Sequence, residues 1–291
     1  MKITVKNTGT LLDILMEEFG HASRSKVRKL IKGGCISDPT GSYKHPETVL
    51  PKGTVLDYDK FEVSVKKADT PFRILFEDEN LIAVIKPAGI LTHGKPGVKV
   101  WSLHQQVNKY IKDETEGRKR AFVIHRLDRE VTGIVLMAKT EDIQNKVKDN
   151  WKSVEKLYYA FVEGHPKEAE GTISSWLWED GRQIMHSGNE TAESKFAITH
   201  YKEIDQRGNN SLIRVKLETG RKNQIRVHMS DIGCPIIGDY RYGADPTIKR
   251  MIRLIAYSLT FPHPVTGKII KLEIKMPRTF LVLSEDDEKY K

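Results

Sequence analysis

His125-Arg126-Leu127-Asp128-Arg129-Glu130-Val131-Thr132-Gly133 sets a dense run of charge between two apolar stretches, Ala121-Phe122-Val123-Ile124 before it and Ile134-Val135-Leu136-Met137-Ala138 after it. Both flanks are short, aliphatic and β-prone, so both read as buried strands. Asp128 then falls on a short connection at the edge of an apolar core, with Arg126 and Arg129 beside it. Neighbouring cations depress a carboxylate pKa while burial raises it, and a paired aspartate here is expected to stay ionised. Such a group can act as a nucleophile or stabilise a developing positive charge. On pattern alone a plainer reading stands ahead of this one: a structural ion pair, or a turn capped through backbone amides.

Outward from that loop, the totals set bounds. A chain of 291 residues with 38% hydrophobic content is long enough for a sizeable core and for two domains. The formal charge of +9 favours a polyanionic partner, although lysine-rich surfaces also serve solubility. The two cysteines, Cys35 and Cys234, lie far apart with no CxxC, which argues against a disulfide framework and against a zinc site. No stretch approaches the roughly 18 uninterrupted apolar residues of a membrane span, so a cytoplasmic protein with no membrane partner is expected.

In the first sixty residues, Leu11, Leu12, Leu15 and Phe19 recur at helical spacing up to Gly20. A second helix follows, with Ser23 as its N-cap, an apolar face of Val27, Leu30 and Ile31, and Gly33-Gly34 as its end. Its other face carries Arg24, Arg28 and Lys32 one turn apart, with Lys26 and Lys29 beside them and no acid among them. Such a stripe can track a phosphate backbone, and it can equally be a solvated helix face.

The segment Leu81-Ile82-Ala83-Val84-Ile85 is a strong strand, and Lys86-Pro87-Ala88-Gly89 turns the chain after it. Trp101 to Ile111 reads as an amphipathic helix and Lys112 to Arg120 as a charged loop. Thr140 caps a further helix whose first turn carries Glu141 and Asp142, where negative charge suits the dipole. Glu155 to Gly164 alternates as a strand, which puts Lys156, Tyr158 and Ala160 on one face and Leu157, Tyr159 and Phe161 on the other. Ser211 to Glu218 reads as another strand, and Ile225, Met229 and Ile232 as a helix ended by Gly233. Arg221 and Arg226 therefore bracket a strand-to-helix turn, where guanidinium groups and free backbone amides could hold a phosphate or Asp128.

The run HRLDREVTGIVLMAKT resembles the signature of RluA-type RNA pseudouridine synthases. Four further runs carry the same resemblance in order: Lys156, Tyr158 and Ala160 for K-x-Y-x-A; Gly220 to His228 for G-R-x-H-Q-I-R-V-H; Gly238 to Gly243 for G-D-x-x-Y-G; and Leu259 to Gly267 for L-x-F-x-H-P-x-T-G. Asn223 stands where the pattern has His, and Ile255 where another His precedes the last run. The resemblance implies an α+β fold, a mixed, mainly antiparallel sheet with flanking helices. It implies Asp128 as the catalytic carboxylate, Arg226 as its partner, and Tyr158 as the ring that stacks on the base and assists removal of its proton. His125, Arg126, Arg221 and Gln224 are expected on the RNA side. Residues 10 to 60 are similar to the S-four RNA-binding module of a small-subunit ribosomal protein, so residues 1–67 are expected to form a small α/β RNA-binding domain using Arg24, Arg28 and Lys32, and residues 68–291 the catalytic domain.

Turning uridine into pseudouridine breaks the bond from ribose to ring nitrogen, rotates the uracil and rejoins it through carbon five. No metal, redox step or cofactor is required. A carboxylate must attack sugar or ring, or stabilise an oxocarbenium-like species, much as in sugar hydrolysis. The expected partner is RNA, ribosomal RNA of the large subunit first and transfer RNA second, and a monomer is expected. Two rivals remain at this point: a non-catalytic RNA-binding or ribosome-assembly factor, and a hydrolase pairing Asp128 with Glu130, whose side chain is expected to point away from it.

Overall fold

Helical spacing and aliphatic runs build the elements seen in the computed structural model, which describes residues 2–19, 24–32, 36–43, 45–58, 72–94, 102–248 and 251–282. The chain folds as two compact units, Met1–Thr70 with Glu114–Glu116, and Pro71–Asp113 with Gly117–Lys291. The expected boundary at 67/68 lies outside the described residues.

The first unit runs β1 (Lys2–Thr4), β2 (Gly9–Thr10), α1 (Leu11–Glu18), α2 (Arg24–Lys32), β3 (Ile36–Asp38), β4 (Gly41–Ser42), β5 (Val49–Leu50) and β6 (Val55–Tyr58). Thr10 caps α1, its hydroxyl accepting from the Asp13 amide at 3.2 Å. Leu11, Leu12 and Leu15 from α1 and Val27 and Ile31 from α2 bury against Ile3, Ile36 and Leu56 of the sheet β1-β6-β3-β4. The expected Ser23 cap and Gly33-Gly34 stop lie outside the described residues.

The second unit begins with β7 (Arg73–Glu77), β8 (Leu81–Lys86), α3 (Leu103–Glu114), β9 (Phe122–Val123), β10 (Thr132–Ala138) and α4 (Glu141–Asp149). It continues with β11 (Glu155–Glu163), β12 (Glu170–Glu179), β13 (Met185–Gly188), β14 (Lys195–Arg207), β15 (Asn210–Leu217), α5 (Gln224–Asp231), β16 (Leu254–Pro262) and β17 (Ile269–Glu273). These strands form one sheet, ordered β13-β12-β14-β15-β11-β16-β10-β8-β7, with β17 on β16 and β9 on β10. Among the described residues only β10 and β16 pair in parallel, which makes the fold an α+β one with a mixed, mainly antiparallel sheet.

Strands β8 and β10 read as continuous apolar runs because helices cover both of their faces. Ile82, Val84, Val135 and Met137 pack with Leu103, Val107 and Ile111 of α3 and with Ile225 and Met229 of α5. Leu81, Ala83, Ile134 and Leu136 pack on the opposite side with Ile143 and Val147 of α4. The structure departs from the sequence reading in two places here. Helix α3 continues past Ile111 to Glu114, and only Phe122 and Val123 of the predicted strand 121–124 join the ladder. Gly133 sits where β10 meets β16, with φ 146°. A Cβ there would lie 2.4 Å from the Ala256 carbonyl oxygen and 2.6 Å from its Cβ, so the close approach of the two strands requires glycine.

Candidate active site

The loop between β9 and β10 carries Asp128, and the segment after β8 clasps it. Lys86 is fully buried at the end of β8 and donates from Nζ to the carbonyls of Pro87 (3.0 Å), Ile90 (2.9 Å) and Arg129 (3.1 Å). Burial pulls its ammonium down to about 8, although the charges of Asp128 and Glu130 act in the opposite sense. The Gly89 amide donates to the Arg129 carbonyl (2.8 Å) and the Thr92 hydroxyl to the Leu127 carbonyl (2.8 Å). Ammonium, amide and hydroxyl thus bond the carbonyls of Leu127 and Arg129, which fixes the backbone on both sides of Asp128.

The Asp128 side chain keeps 28% of its surface open. Burial raises its pKa, Arg226 opposes that, and Glu130 and Asp239 add to the rise. The net direction is upward, and the cation that opposes it comes from α5 and not from the arginines that flank the acid in sequence. Arg126 and Arg129 are both exposed, and neither contributes to the shift. Arg226, on the first turn of α5, does reach the acid, with Nη1 3.7 Å from Asp128 Oδ2. Its chief partner is another residue. Arg226 Nε and Nη2 donate to Asp239 Oδ2 (2.6 Å) and Oδ1 (2.7 Å), a bidentate pair in which the side chains are 6% and 1% exposed. The guanidinium also lies 5.0 Å from the Tyr242 ring centroid. Glu130 does not point away: its Oε2 is 3.6 Å from the same Nη1, so both carboxylates of the loop face one cation.

Tyr158 on β11 is 8% exposed and lines the cleft beside Asp128. Burial, then the charge of Asp128, pushes its hydroxyl well above the ordinary range. The hydroxyl therefore holds its proton in the RNA-free site, and the ring is available for stacking. The residues of its strand that share its face, Lys156 and Ala160, are buried as the alternation predicts.

These groups open onto a cleft of about 2020 Å³. Arg126 and Arg221 are exposed on its lining, the latter held by a hydrogen bond from Nε to the Phe196 carbonyl (3.0 Å). Lys112, Arg120, Lys148, Phe122 and Trp151 line it too, with the Arg120 guanidinium 4.7 Å from the Phe122 ring centroid. His125 also lines the cleft, but its Nε2 accepts from the Leu136 amide (3.1 Å), and burial followed by Lys156 lowers its pKa to about 4. It is therefore a neutral ring that ties the loop to β10 while its remaining surface lines the cleft. Gln224 is corrected as well. Its Oε1 accepts from the Thr219 hydroxyl (2.8 Å) and the Arg221 amide (3.0 Å), and its Nε2 donates to the Ile198 carbonyl and Thr199 hydroxyl (both 2.9 Å), which leaves the side chain 2% exposed and occupied in shaping the turn into α5.

In the first unit, Arg24 and Arg28 have acidic neighbours that the helix sequence alone did not reveal, Asp13 at 3.3 Å and Glu47 at 3.7 Å. Exposed pairs of this kind are worth about 0–1 kcal/mol and exchange readily for another anion. The Lys32 side chain lies outside the described residues. Sequence reasoning missed Asp239 as the main partner of Arg226, although the acid stands in a motif already noted, because nothing local to Gly238-Asp239 points at a guanidinium thirteen residues earlier. The turn at Lys86-Pro87-Ala88-Gly89 was legible, but no charge pattern signals the burial of Lys86. Among the described residues no group of three or more His, Cys, Asp or Glu could hold a metal ion, and no helix is long and apolar enough to cross a membrane.

Comparison with known proteins places this geometry. A family model described as RNA pseudouridylate synthase matches residues 80–231, which include the Asp128 loop, Tyr158 and Arg226. An uncharacterized RNA pseudouridine synthase of Synechocystis sp. is 32% identical over 280 residues, covering 91% of this chain and 85% of that protein. A protein of Pseudomonas aeruginosa named ribosomal large subunit pseudouridine synthase D is 31% identical over 306 residues, covering 97% and 94%. Among solved structures, human RNA pseudouridylate synthase domain containing 4 superposes with a TM-score of 0.60 at 24% identity over 72% of this chain and 90% of that one, a likeness of fold. The chain belongs to the RNA pseudouridylate synthase family and is an isomerase.

Proposed function

We propose that this enzyme isomerises uridines in ribosomal RNA of the large subunit, with Asp128 as the reacting carboxylate, Arg226 as the cation that orients it and Tyr158 as the ring on which the loosened base rests. The observation that carries the assignment is the placing of Asp128: the acid opens onto the cleft on one side and has a guanidinium at 3.7 Å and a buried tyrosine on the other. The ribosomal target is supported by relatives named ribosomal large subunit pseudouridine synthase D and C.

A target uridine lies stacked in RNA and must be turned out to reach Asp128, at a cost of a few kcal/mol that is least in loops. Asp128 attacks the sugar or the ring, or stabilises the oxocarbenium-like species, while the bond from C1′ to N1 breaks and that from C1′ to C5 forms. N1 gains a proton and C5 loses one. Arg126, Arg221, Lys112, Arg120 and Lys148 on the cleft supply cations for the phosphates, and Phe122 and Trp151 supply faces for bases. Residues 1–67 act in this reading as an S-four-like RNA clamp through α2, and the enzyme works in the cytoplasm as a monomer.

The test is to map pseudouridines in total RNA with wild-type enzyme, without it, and with Asp128→Asn. Sites in large-subunit ribosomal RNA should vanish without the enzyme and with the variant, while RNA binding by the variant persists. Loss of transfer-RNA sites alone would replace the ribosomal target. Full activity of Asp128→Asn would remove the carboxylate from the mechanism.

A further inference from the structure

Asn223 turns the chain into α5 in the left-handed region, with φ 51° and ψ 18°, which asparagine tolerates better than most residues. It stands at the N-cap position, yet its side chain makes no capping hydrogen bond. The buried amide lies instead between Asp128 and the Tyr242 hydroxyl. Its two ends are nearly identical in shape, so the neighbours decide which is oxygen. The end facing Asp128 is 2.8 Å from Oδ2 and 3.3 Å from Oδ1. An oxygen there would press one acceptor against another, whereas a nitrogen donates to the carboxylate. Tyr242 gives the same answer. Its hydroxyl oxygen accepts from the Met185 amide (3.2 Å), and its single proton finds an acceptor in Asn223 Oδ1 at 2.8 Å. The opposite orientation would have Nδ2 donate to the Tyr242 hydroxyl at 2.8 Å and Oδ1 accept a 3.3 Å contact from Arg226, whose guanidinium is already bonded through Nε and Nη2 to Asp239, but it would set the amide oxygen against the Asp128 carboxylate at 2.8 Å.

We propose that Asn223 is a positioning residue for Asp128: its Nδ2 donates to Oδ2, aims the carboxylate at the cleft and favours its ionised form, and the Tyr242 hydroxyl locks the amide in that orientation. The proposal rests on the reading of Asp128 as the reacting group. Every charged group around the acid makes such a donor consequential. Glu130 on its own loop and Asp239 disfavour the charge, as does burial; Arg226 from α5 favours it. Lys86 at the end of β8 and Tyr158 on β11 feel the Asp128 charge in turn. Arg226 is shared among three carboxylates and stands 3.7 Å from Asp128, so the amide at 2.8 Å is the nearer donor. A hydrogen bond to the charged form lowers a carboxylate pKa.

The experiment compares wild type, Asn223→Ala, Asn223→His and Tyr242→Phe by two readouts: the pH profile of pseudouridine formation on a large-subunit ribosomal RNA transcript, and the titration of Asp128 in the RNA-free protein by NMR of 13C-carboxyl-labelled aspartate, assigned with Asp128→Asn. Asn223→Ala should move the acidic limb of kcat and the Asp128 titration to higher pH by about one unit, equivalent to about a tenfold loss of rate below the limb. KM for the transcript should stay unchanged. Asn223→His, which offers an N–H donor, should bring both back toward wild type. Tyr242→Phe leaves the left-handed backbone alone and should shift both in the same direction by less, and it decides the matter if Asn223→Ala does not fold. An unmoved limb and titration in folded variants overturn the proposal, as does a loss of rate equal at every pH. A wild type with no isomerising activity but an Asp128 titration that moves with Asn223 would refute the role of Asp128 and keep the hydrogen bond.

Discussion

Removing the Asp239 carboxylate tests the electrostatic core of the site. Arg226 and Asp239 are 6% and 1% exposed and joined by two hydrogen bonds of 2.6 and 2.7 Å. Breaking such a pair from one side leaves a buried charge without its main partner and costs about 3–5 kcal/mol. In Asp239→Ala the guanidinium still has Asp128 at 3.7 Å and Glu130 at 3.6 Å, which places the loss at the lower end, about 3 kcal/mol. For a unit of this size each kcal/mol is worth roughly 2–4 °C, so the melting temperature should fall by roughly 6–12 °C. Tryptophan fluorescence is the assay, because Trp101, Trp151, Trp176 and Trp178 all lie after residue 70 and report on the second unit. Lys202→Ala, which breaks an exposed pair with Glu170 (side chains 53% and 66% exposed), is the control and should cost no more than about 1 kcal/mol. The double variant Arg226→Met/Asp239→Leu should recover much of the loss, since neither charge remains buried. A melting temperature for Asp239→Ala equal to that of Lys202→Ala would refute the buried pair.

Two further outcomes follow from the same loop. Gly133→Ala should cost roughly 3 kcal/mol or more, because the new Cβ meets the backbone of Ala256 and not a flexible side chain; a urea midpoint close to wild type would mean that β10 and β16 can separate there. Asp128 also links stability to pH. Its folded-state pKa lies above the unfolded value, so the folded protein holds the extra proton in the window between them, and stability falls as pH rises from about 4 through the folded pKa. Asp128→Asn removes that slope. The variant should gain on wild type in melting temperature as pH rises through the window, and a difference between the two that falls as pH rises would contradict the direction of the shift.

The local elements were largely legible. Apolar runs gave β8 and β10, period-two alternation gave the buried face of Lys156, Tyr158 and Ala160, and cap chemistry gave the start of α4 at Thr140, whose hydroxyl accepts from the Ile143 amide. The long hairpins of β12, β13 and β14 carried no comparable signal. Much of their surface stays open on both faces, as the mixed burial of Glu170–Glu179 and Lys195–Arg207 shows, so burial imposes no clean alternation on the sequence.

By itself the sequence determined the family and picked out candidate site residues, because both are written in short contiguous motifs: Asp128 on a charged loop between two strands, Arg226 past a strand-to-helix turn. Tertiary structure alone decided what those residues are to each other. Arg226 holds Asp239 more closely than Asp128, Glu130 turns toward that guanidinium, His125 gives its Nε2 to the Leu136 amide, and Gln224 faces the protein. The physical reason is range. A strand or a helix turn is fixed by neighbours a few residues away, whereas the pKa and orientation of a carboxylate depend on charges and donors brought within 4 Å by strands and helices far apart in the chain.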